Sequence, residues 1–328
     1  MTVIGAGVAG LACATELHAR GVEVTVVDRA AGLGAEACSW WAGGMLAPWC
    51  ELASADPAVA RLGSEAAEWW QQHSGGVVRR GTLVLALGRD AGELRQFARR
   101  TKQFESLDAA QIDVLEPALA GRFRRGLLFP SEAHLDPRAA TATLAQRLHE
   151  AGTPVRWRTA AEQAPPADLV LDCRGLAARD ELDDLRGVKG EMLLVRSGEI
   201  SLTRTIRLLH PRTPVYIVPR GDGLYMIGAT MIENSERSRI SARSMLELLG
   251  AAYALHPAFG EAEIVEIGVD ARPAFADNLP RLRRRGSTLF VNGLYRHGLL
   301  LSPALARMAA DTALDAQHVP EVMDENCP

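Results

Sequence analysis

The sequence predicts an α/β protein with two domains, one made of strand–helix units and one dominated by strands, each assembled from separate segments of the chain. Three observations predict this class. A glycine-rich turn joins a strand to a helix at the N-terminus, strand patterns dominate residues 187–232, and strand–helix patterns return at about 136–180 and 286–316. We expect the first domain to comprise residues 1–80, 136–185 and 270–328, and the second to comprise residues 81–135 and 186–269.

The N-terminal unit has the order strand, turn, helix, strand. Residues 2–4 predict a short β-branched strand, residues 11–20 a helix that Gly21 ends, and residues 22–27 a second strand that ends in Asp28. The turn, Gly5-Ala6-Gly7-Val8-Ala9-Gly10, matches GxGxxG. This motif arises by chance in a chain with 30 glycines, but its position between these elements makes it specific for a Rossmann-like dinucleotide site.

Each residue of this motif has a physical role in such a site. Gly5 allows the tight turn, Gly7 lets the backbone approach a pyrophosphate, and Gly10 lets the helix pack closely against the strand. The first turn of the helix adds unpaired N–H groups and a partial positive charge for the phosphates. Asp28 provides an acceptor for the hydroxyls of an adenosine ribose. The sequence therefore predicts a bound dinucleotide.

Hydrophobic periodicity and chain-breaking residues predict the remaining elements. Asp136 has the side chain of a helix N-cap and Pro137 suits the first helical position, while Arg220-Gly221-Asp222-Gly223 predicts a hairpin turn. Residues 32–48, rich in Gly and Ala, predict an irregular segment. The predicted helices are 57–72, 93–104, 108–115, 136–151, 241–254 and 303–316, and the predicted strands are 81–87, 126–134, 155–158, 168–172, 191–196, 203–209, 215–219, 224–229, 263–269 and 288–291.

Composition excludes several classes of function. The net charge is -4 with a pI of about 6.1, so no basic excess is present to neutralise nucleic-acid phosphates. No apolar run approaches the roughly 18 residues of a membrane helix, and the N-terminus lacks the pattern of a secretory signal. Five scattered cysteines without a CxxC pair, at positions 13, 38, 50, 173 and 327, indicate neither a metal site nor a disulfide framework, which favours a cytoplasmic location. We expect the basic cluster Arg281, Arg283, Arg284 and Arg285 to be a solvated loop.

Three further segments favour FAD over a nicotinamide dinucleotide. The stretch from Ser39 to Pro48 is rich in small residues, which lets the backbone lie against a flat ring system. Residues 168–175 form a strand that ends in a glycine turn, which is either a further dinucleotide contact or a structural turn. Residues 290–298 run from a strand into a loop before the last helix, whose N-terminal amides would stabilise negative charge on a reduced flavin. No cysteine or histidine occupies a position suited to a flavin linkage, so we expect FAD to be non-covalent.

The chain resembles the D-amino-acid oxidase superfamily, and within it the glycine oxidases of thiamine biosynthesis. The resemblance covers nearly the whole chain and rests on VIGAGVAGLACATELHARGVEVTVVDR, SWWAGGMLAP, VYIVPRGDGLYMIGATM, ARPAFADNLP and VNGLYRHGLLLSPALA. It implies an FAD-binding Rossmann-like domain of the glutathione-reductase type and a substrate domain built on an antiparallel sheet. It also implies oxidation of a small amine to an imine, with O2 reoxidising the flavin and releasing H2O2.

The resemblance also implies roles for individual residues. Arg296 matches the arginine that binds the substrate carboxylate, and Arg272 matches a second active-site arginine. Tyr216 matches a tyrosine beside the substrate, and Met231 a methionine that lines the pocket. With the glycine motif and the flavin-side segments, the expected cofactor-binding residues are Gly5, Gly7, Ala9, Gly10, Asp28, Arg29, Ala42, Gly43, Gly44, Met45, Gly175, Gly298 and Leu299.

Two positions depart from the pattern of the family. Asp28 stands where many relatives have Glu, and Pro214 stands two residues before Tyr216, where a studied type of glycine oxidase has a polar side chain. The second departure allows a different substrate preference. On physical grounds alone, Tyr216 could equally be a core residue. We leave His297 out of the catalytic residues, because hydride transfer from a neutral amine needs no strong protein base, and we expect Trp40, Trp41, Trp69 and Trp70 to serve packing.

The expected reaction begins when the substrate carboxylate binds Arg296 and a neutral amine presents its α-carbon to the flavin. The expected partners are a small amino-acid substrate and O2, with neither nucleic acid nor membrane, and a homo-oligomer is compatible with the sequence. Three alternatives stay open: a flavin dehydrogenase for a larger or N-methylated amino acid with an acceptor other than O2, a nicotinamide-dependent dehydrogenase, and a non-enzymatic nucleotide-binding module.

Overall fold

A computed structural model of the chain describes residues 1–210 and 213–324, so the expectations for Cys327 and for the end of the first domain at residue 328 lie outside the described residues. The strands are β1 (Thr2–Ile4), β2 (Thr25–Val27), β3 (Met45–Leu46), β4 (Thr82–Ala86), β5 (Glu105–Asp108), β6 (Arg125–Phe129), β7 (Ala133–His134), β8 (Val155–Arg156), β9 (Val170–Asp172), β10 (Arg186–Arg196), β11 (Thr205–Leu209), β12 (Val215–Gly221), β13 (Leu224–Gly228), β14 (Glu263–Ala274), β15 (Arg281–Arg285) and β16 (Thr288–Asn292). The α-helices are α1 (Val8–Ala19), α2 (Pro48–Glu51), α3 (Pro57–Gly63), α4 (Ala66–His73), α5 (Ala91–Arg100), α6 (Ala109–Leu115), α7 (Pro137–Glu150), α8 (Ala242–Leu255) and α9 (Gly298–Asp315). Short 3-10 helices lie at Cys38–Trp41, Gly88–Asp90, Pro117–Leu119, Ala161–Gln163, Gly175–Asp180, Pro257–Phe259 and Tyr295–His297.

A six-stranded sheet in the order β15-β16-β9-β1-β2-β8 forms the first of two large sheets. Its strands pair in parallel except for β15, which pairs antiparallel with β16. The central strands are buried, as a parallel sheet covered by helices requires, and α1 and α9 contribute Leu11, Leu17 and Leu305 to the same core. Because β1 lies between β2 and β9, the loops after their carboxyl ends meet at one edge, which is where such sheets bind ligands.

The second sheet has eight strands in the order β14-β10-β13-β12-β11-β4-β6-β5. All its pairs are antiparallel except β11 with β4. One face packs on a core that includes Leu248 and Leu255 of α8. The predicted turn between β12 and β13 is confirmed, since the two strands form an antiparallel hairpin across Gly221-Asp222-Gly223, where all three residues have positive φ.

These two sheets confirm the predicted α/β class with an antiparallel-dominated second sheet. The strands of the six-stranded sheet come from residues 2–27, 155–172 and 281–292, and those of the eight-stranded sheet from residues 82–129 and 186–274. The division of the chain into domains at particular residues stays a proposal. Across residues 1–210 and 213–324, no helix combines the length and apolarity needed to cross a bilayer.

The predicted N-cap of α7 is confirmed. Asp136 accepts hydrogen bonds from the backbone N–H groups of Arg138 (2.7 Å) and Ala139 (3.1 Å), with Pro137 at the first helical position.

The prediction of a single helix for residues 57–72 is wrong, because the chain forms two helices that are separated at residues 64–65. Gly63 ends α3 where the chain packs against Leu300. A Cβ on Gly63 would lie only 2.5 Å from Cγ of Leu300.

The closing helix begins at Gly298, five residues before the predicted start at Pro303. Proline inside a helix usually ends it, because proline has no N–H for the carbonyl four residues earlier. Here that carbonyl belongs to Leu299, and it accepts a hydrogen bond of 2.7 Å from the indole N–H of Trp70. The side chain of a distant helix therefore replaces the missing backbone donor, and α9 continues through Pro303.

The expectation of a solvated loop at Arg281, Arg283, Arg284 and Arg285 is wrong, because these residues form β15. Arg283 is buried and lies 2.6 Å from the carboxylate of Asp184 and 2.8 Å from that of Asp324. The acidic partners come from distant segments, and they allow a basic sequence to form a strand at the edge of the sheet.

Strand β14 also extends beyond its predicted end at residue 269, so that Arg272 and Pro273 lie in the strand. Proline is tolerated there because β14 is an edge strand.

Candidate active site

A cavity of about 510 Å³ extends from the carboxyl edge of the six-stranded sheet to one face of the eight-stranded sheet. The loops after β1, β2 and β9 line its first part, which we call the nucleotide end. Residues of β10 to β14, together with the segment that follows β16, line the second part, which we call the substrate end. Its volume lies within the range of small-molecule and cofactor sites.

The nucleotide end is shaped by glycines that approach other backbone segments closely. Gly5 has φ +99°, and a Cβ there would lie 2.7 Å from the carbonyl oxygen of Cys173. A Cβ on Gly10 would lie 1.8 Å from the carbonyl oxygen of Gly5. Neither position accepts a side chain without moving the backbone, so the first turn of α1 sits directly beside the end of β1.

Asp28 at the end of β2 is held in place by backbone donors. Its Oδ2 accepts the N–H of Ala6 at 2.6 Å, and its Oδ1 accepts the N–H of Ala30 at 2.8 Å. A carboxylate has about four acceptor sites, so two remain for the hydroxyls of a ligand. Asp28 therefore connects the glycine turn to the loop after β2 and keeps an acceptor directed into the cavity that it lines.

The wall between the two ends is fixed by a partly buried arginine from the β12–β13 hairpin. Arg220 donates to the carbonyls of Leu135 (2.6 Å), Gly43 (2.8 Å) and Ala42 (3.1 Å). Burial lowers the pKa of this guanidinium to about 10, which leaves it charged at neutral pH. Gly44 completes the wall, with φ +73° and no room for a Cβ, which would lie 2.1 Å from the carbonyl oxygen of Leu135.

At the substrate end, the buried carboxylate of Glu51 is the centre of a polar cluster. Its Oε2 lies 2.6 Å from Nη2 of Arg296 and 2.9 Å from Nε2 of His297, and its Oε1 accepts the hydroxyl of Tyr216 at 2.9 Å. Arg207 approaches Oε1 at 3.8 Å. Burial opposes ionisation of Glu51, but Arg296, His297 and Arg207 outweigh it and hold the pKa of the carboxyl well below its ordinary value.

His297 is buried beside this carboxylate. Burial is the main cause that lowers the pKa of its imidazole; Glu51 opposes this shift, and Arg296 and Arg272 add smaller effects in the same direction as burial. The neutral imidazole is therefore the form at neutral pH, and its Nδ1 has no hydrogen-bond partner among the described residues. This arrangement makes His297 a neutral hydrogen-bonding group of the cluster.

The two arginines that the sequence indicated differ in how much of their hydrogen-bonding capacity is used. Arg296 contacts Glu51, Ser54 Oγ (2.8 Å) and Met231 Sδ (3.4 Å). Arg272 lies over Gly190, and only its Nη1 has a hydrogen-bond partner in the described part of the chain, the carbonyl of Thr230 at 3.1 Å. Arg272 thus keeps Nε and Nη2 available, whereas Arg296 is already paired.

The family model described as FAD dependent oxidoreductase (DAO) matches residues 1–312 of the chain. This chain belongs to that family of FAD-dependent oxidoreductases. A candidate thiamine biosynthesis oxidoreductase named ThiO from Rhizobium etli is 55% identical over 320 residues, which cover 97% of this chain and 98% of that protein. A glycine oxidase from Geobacillus kaustophilus is 29% identical, with 95% of this chain and 92% of that protein covered. The crystal structure of glycine oxidase from the same organism has the same fold, with a TM-score of 0.81 over 97% of this chain and 95% of that chain.

The geometry of the cavity fits FAD, the cofactor of this family. The glycines at the end of β1 and the N-terminal turn of α1 suit a pyrophosphate, and Asp28 suits a ribose. The wall at 42–44 and the N-terminus of α9 border the region between this site and the polar cluster around Glu51. One continuous cavity thus joins a dinucleotide site to a buried charged site.

The cavity brings together most of the residues that the sequence indicated. It is lined by Gly5, Gly7, Ala9, Asp28, Arg29, Ala42, Gly43, Met45, Gly175, Tyr216, Met231, Arg272, Arg296, Gly298 and Leu299. Gly10 and Gly44 do not line it, and they act instead through the close backbone approaches described above. Trp41 lines the cavity beyond the packing role we expected, while Trp69 and Trp70 are buried in the core.

Sequence reasoning missed Glu51 and Arg207, two buried charged residues that line the substrate end. Each is less than a tenth exposed. A signal was present for Arg207, since a single charged residue interrupts the apolar strand Thr205-Ile206-Arg207-Leu208-Leu209. Charged residues are almost never fully buried unless they are paired, so this pattern indicates a functional partner.

Proposed function

We propose that this enzyme oxidises a small amino acid, with glycine as the simplest substrate, to its imine, and that O2 reoxidises the non-covalent FAD to release H2O2. The imine would then serve thiazole formation in thiamine biosynthesis. The observation that carries this proposal lies at the substrate end of an FAD cavity, where two donors of Arg272 have no partner among the described residues. The names of the relatives, a thiamine biosynthesis oxidoreductase and glycine oxidases, support the substrate and the pathway.

The substrate carboxylate is assigned to both arginines in this proposal. Arg272 offers Nε and Nη2, which form the planar two-pronged donor that a carboxylate matches. Arg296 adds a second positive charge nearby, and its contact with Glu51 fixes the position of the guanidinium. The Arg296 role that the family resemblance implies is therefore shared, with Arg272 making the larger number of new hydrogen bonds.

The chain supplies binding and orientation, and bound FAD supplies the chemistry by accepting a hydride from the substrate α-carbon. Tyr216 and Met231 border the space beside the two arginines and limit the size of the substrate side chain. Glu51 is ionised but held by cations, and His297 is neutral but buried, so neither is a strong base. We propose that the substrate reacts as the neutral amine, after its proton has passed to solvent.

An anaerobic bleaching screen tests this function. Glycine, sarcosine or another very small amino acid should bleach the flavin absorbance, and reoxidation with O2 should release one H2O2 per flavin. A much higher specificity constant for D-phenylalanine than for glycine would refute the proposed substrate class. Bleaching without H2O2 release would assign the electrons to another acceptor. Acid precipitation should leave all the yellow colour in the supernatant, and colour in the pellet would refute non-covalent binding.

A further inference from the structure

The substrate end contains a third arginine that the proposed function does not use. Arg207 lies on β11 with its side chain 8% exposed, and it lines the same cavity as Arg272 and Arg296. Its guanidinium stacks over the ring of Tyr216, 4.8 Å from the centroid, and over Phe97 at the same distance. These contacts hold the side chain in one orientation, directed from β11 towards the next strand of the sheet.

Strand register places Arg207 and Arg272 on one face of the eight-stranded sheet. Across the sheet, Arg207 pairs with Tyr216, Tyr216 with Gly228, Gly228 with Met192, and Met192 with Gly268. Arg272 follows Gly268 by four residues on the same strand, and side chains two or four residues apart share a face. Four strand spacings, roughly 19 Å, therefore separate the two backbones across the sheet, and the four-residue offset adds roughly 13 Å along the strand.

Both guanidiniums lean inward over this shared face. Arg207 covers the ring of Tyr216 on the neighbouring strand, and Arg272 covers Gly190 on the strand next to its own. Between them, Gly190, Met192, Met226 and Gly228 form the floor of the cavity. The face thus carries a cationic group at each end of a stretch of cavity floor made of glycine and methionine.

Arg207 also has unused hydrogen-bond donors. Its Nη1 contacts the carbonyl of Cys50 at 3.1 Å and the hydroxyl of Tyr216. Its Nε is buried without a partner, and within the described part of the chain no partner contacts Nη2. Nε and Nη2 form the edge of a guanidinium that donates two parallel hydrogen bonds to a carboxylate. A buried donor edge of this kind is costly to leave unpaired, and an anionic ligand would satisfy it.

The charges of the cluster also favour the binding of a second anion. The carboxylate of Glu51 lies 2.6 Å from Arg296 but 3.8 Å from Arg207. The other acid near Arg207 is Glu132, which accepts the N–H of Cys50 at 2.7 Å, and burial raises the pKa of its carboxyl to about 7. Arg207 therefore lacks a close carboxylate partner of its own, which a second substrate carboxylate would provide.

We propose that Arg207 forms a second anion-binding subsite, and that the enzyme prefers amino acids that carry a second carboxylate. The α-carboxylate binds Arg272, as in the proposed function on which this inference rests, and the second carboxylate binds the Nε–Nη2 edge of Arg207. The α-carbon chemistry is unchanged, so glycine reacts as a substrate that leaves this subsite empty.

Matched pairs of amines that differ by one carboxylate test the proposal. The pairs are N-methylglycine with N-carboxymethylglycine, and D-alanine with D-aspartate. For the wild-type holoenzyme, the acidic member of at least one pair should have a kcat/KM at least about tenfold higher, mainly through a lower KM, because it gains a charge-assisted two-pronged contact. If the neutral member is equal or better in both pairs, the proposal is wrong whatever the variants show.

Variants assign the preference to Arg207. Arg207→Gln should lower kcat/KM for the acidic member of a pair more than for the neutral member, so that the preference disappears, and Arg207→Lys should restore part of the preference. Arg204→Gln is the matched control, because Arg204 is an equally buried arginine that pairs with Glu116 and does not line the cavity. A preference that survives Arg207→Gln, or that Arg204→Gln removes equally, would refute the assignment.

A binding measurement separates this inference from the proposed function. Malonate and acetate, which do not react, are titrated against the holoenzyme and followed by the change in flavin absorbance. Wild type should bind malonate at least about tenfold more tightly than acetate, and Arg207→Gln should bind the two within about threefold of each other. Equal affinities in wild type refute the subsite. If no amine bleaches the flavin but malonate binding behaves as expected, the proposed function fails and the anion subsite remains.

Discussion

Glu51 and Arg296 form a partly buried ion pair of 2.6 Å at the substrate end of the cavity. Glu51 ends the short helix α2, and Arg296 lies just before α9, so the pair joins the first and last parts of the chain. The same carboxylate oxygen lies 2.9 Å from His297, which is 246 residues away in sequence. Arg296 is therefore held in position before any substrate enters, and Arg272 provides the less occupied guanidinium.

Replacement of Arg296 with alanine should lower kcat/KM for glycine by the equivalent of about 2–5 kcal/mol, mainly through KM, because the substrate carboxylate loses a buried cationic partner. Arg296→Lys should recover part of the loss, since one ammonium cannot reproduce a two-pronged contact. Steady-state kinetics on glycine and on an amine without a carboxylate measure the effect. An equal loss on both amines, or a colourless variant, would show that Arg296 supports the fold or the flavin and does not bind the carboxylate.

Gly190→Ala should impair substrate binding without changing FAD content. The added Cβ would lie 2.2 Å from Nη2 of Arg272, so the guanidinium must move away from the site. We expect KM for glycine to rise by about tenfold or more, the size of a lost charge-assisted contact. Gly198→Ala is the control, because its Cβ meets no atom within 4 Å. Unchanged kinetics in Gly190→Ala would mean that the position of Arg272 does not decide substrate binding.

Asp28→Ala should weaken FAD retention. The substitution removes the acceptor we assign to the ribose and also leaves the N–H groups of Ala6 and Ala30 without their partner. A loss of about 1–3 kcal/mol in FAD binding is expected from the unpaired donors. Titration of the apoprotein with FAD measures it, with urea unfolding of the apoprotein to separate binding from stability. Asp28→Glu, which keeps the carboxylate, should retain more FAD than Asp28→Ala; equal FAD affinity in wild type and Asp28→Ala would contradict the assignment.

His134 should make the protein less stable in mild acid. Burial, with Arg220 adding to it, lowers the pKa of this imidazole from 6.5 to about 4. Between these two pH values the unfolded state binds a proton at His134 and the folded state does not. The contribution of the neutral imidazole to the free energy of unfolding is therefore fully present above pH 6.5 and is lost as the pH falls from 6.5 to about 4. The pKa difference corresponds to about 3 kcal/mol at most.

Urea unfolding of wild type and His134→Leu between pH 7.5 and pH 4 measures this contribution. Leucine has a similar size and does not titrate, so the free energy of unfolding of the variant should change less over this interval. His18→Leu is the control, because His18 is on the surface side of α1 and only partly buried. Parallel curves for wild type and His134→Leu would show that His134 does not titrate in this window.

The amino-acid sequence by itself determined the features that depend on neighbouring residues. The glycine turn at Gly5 and Gly10, the acceptor at Asp28, the N-cap at Asp136 and the hairpin after Arg220 follow from local sterics and short-range hydrogen bonds. Such interactions are made within a few residues or within one βαβ unit, so a local pattern indicates them. They were enough to predict the α/β class and the dinucleotide cofactor.

Only the tertiary structure decided which charged and polar residues share the substrate end. Glu51, Arg207 and His297 become a cluster because the loops and strands that carry them meet in the fold, and each buried charge is stable only with its distant partners. The same reason explains why α9 continues through Pro303, where Trp70 supplies the missing donor, and why the basic segment at Arg283 forms a strand beside Asp184 and Asp324. In each case the stabilising partner lies far away in sequence, and no local pattern specifies it.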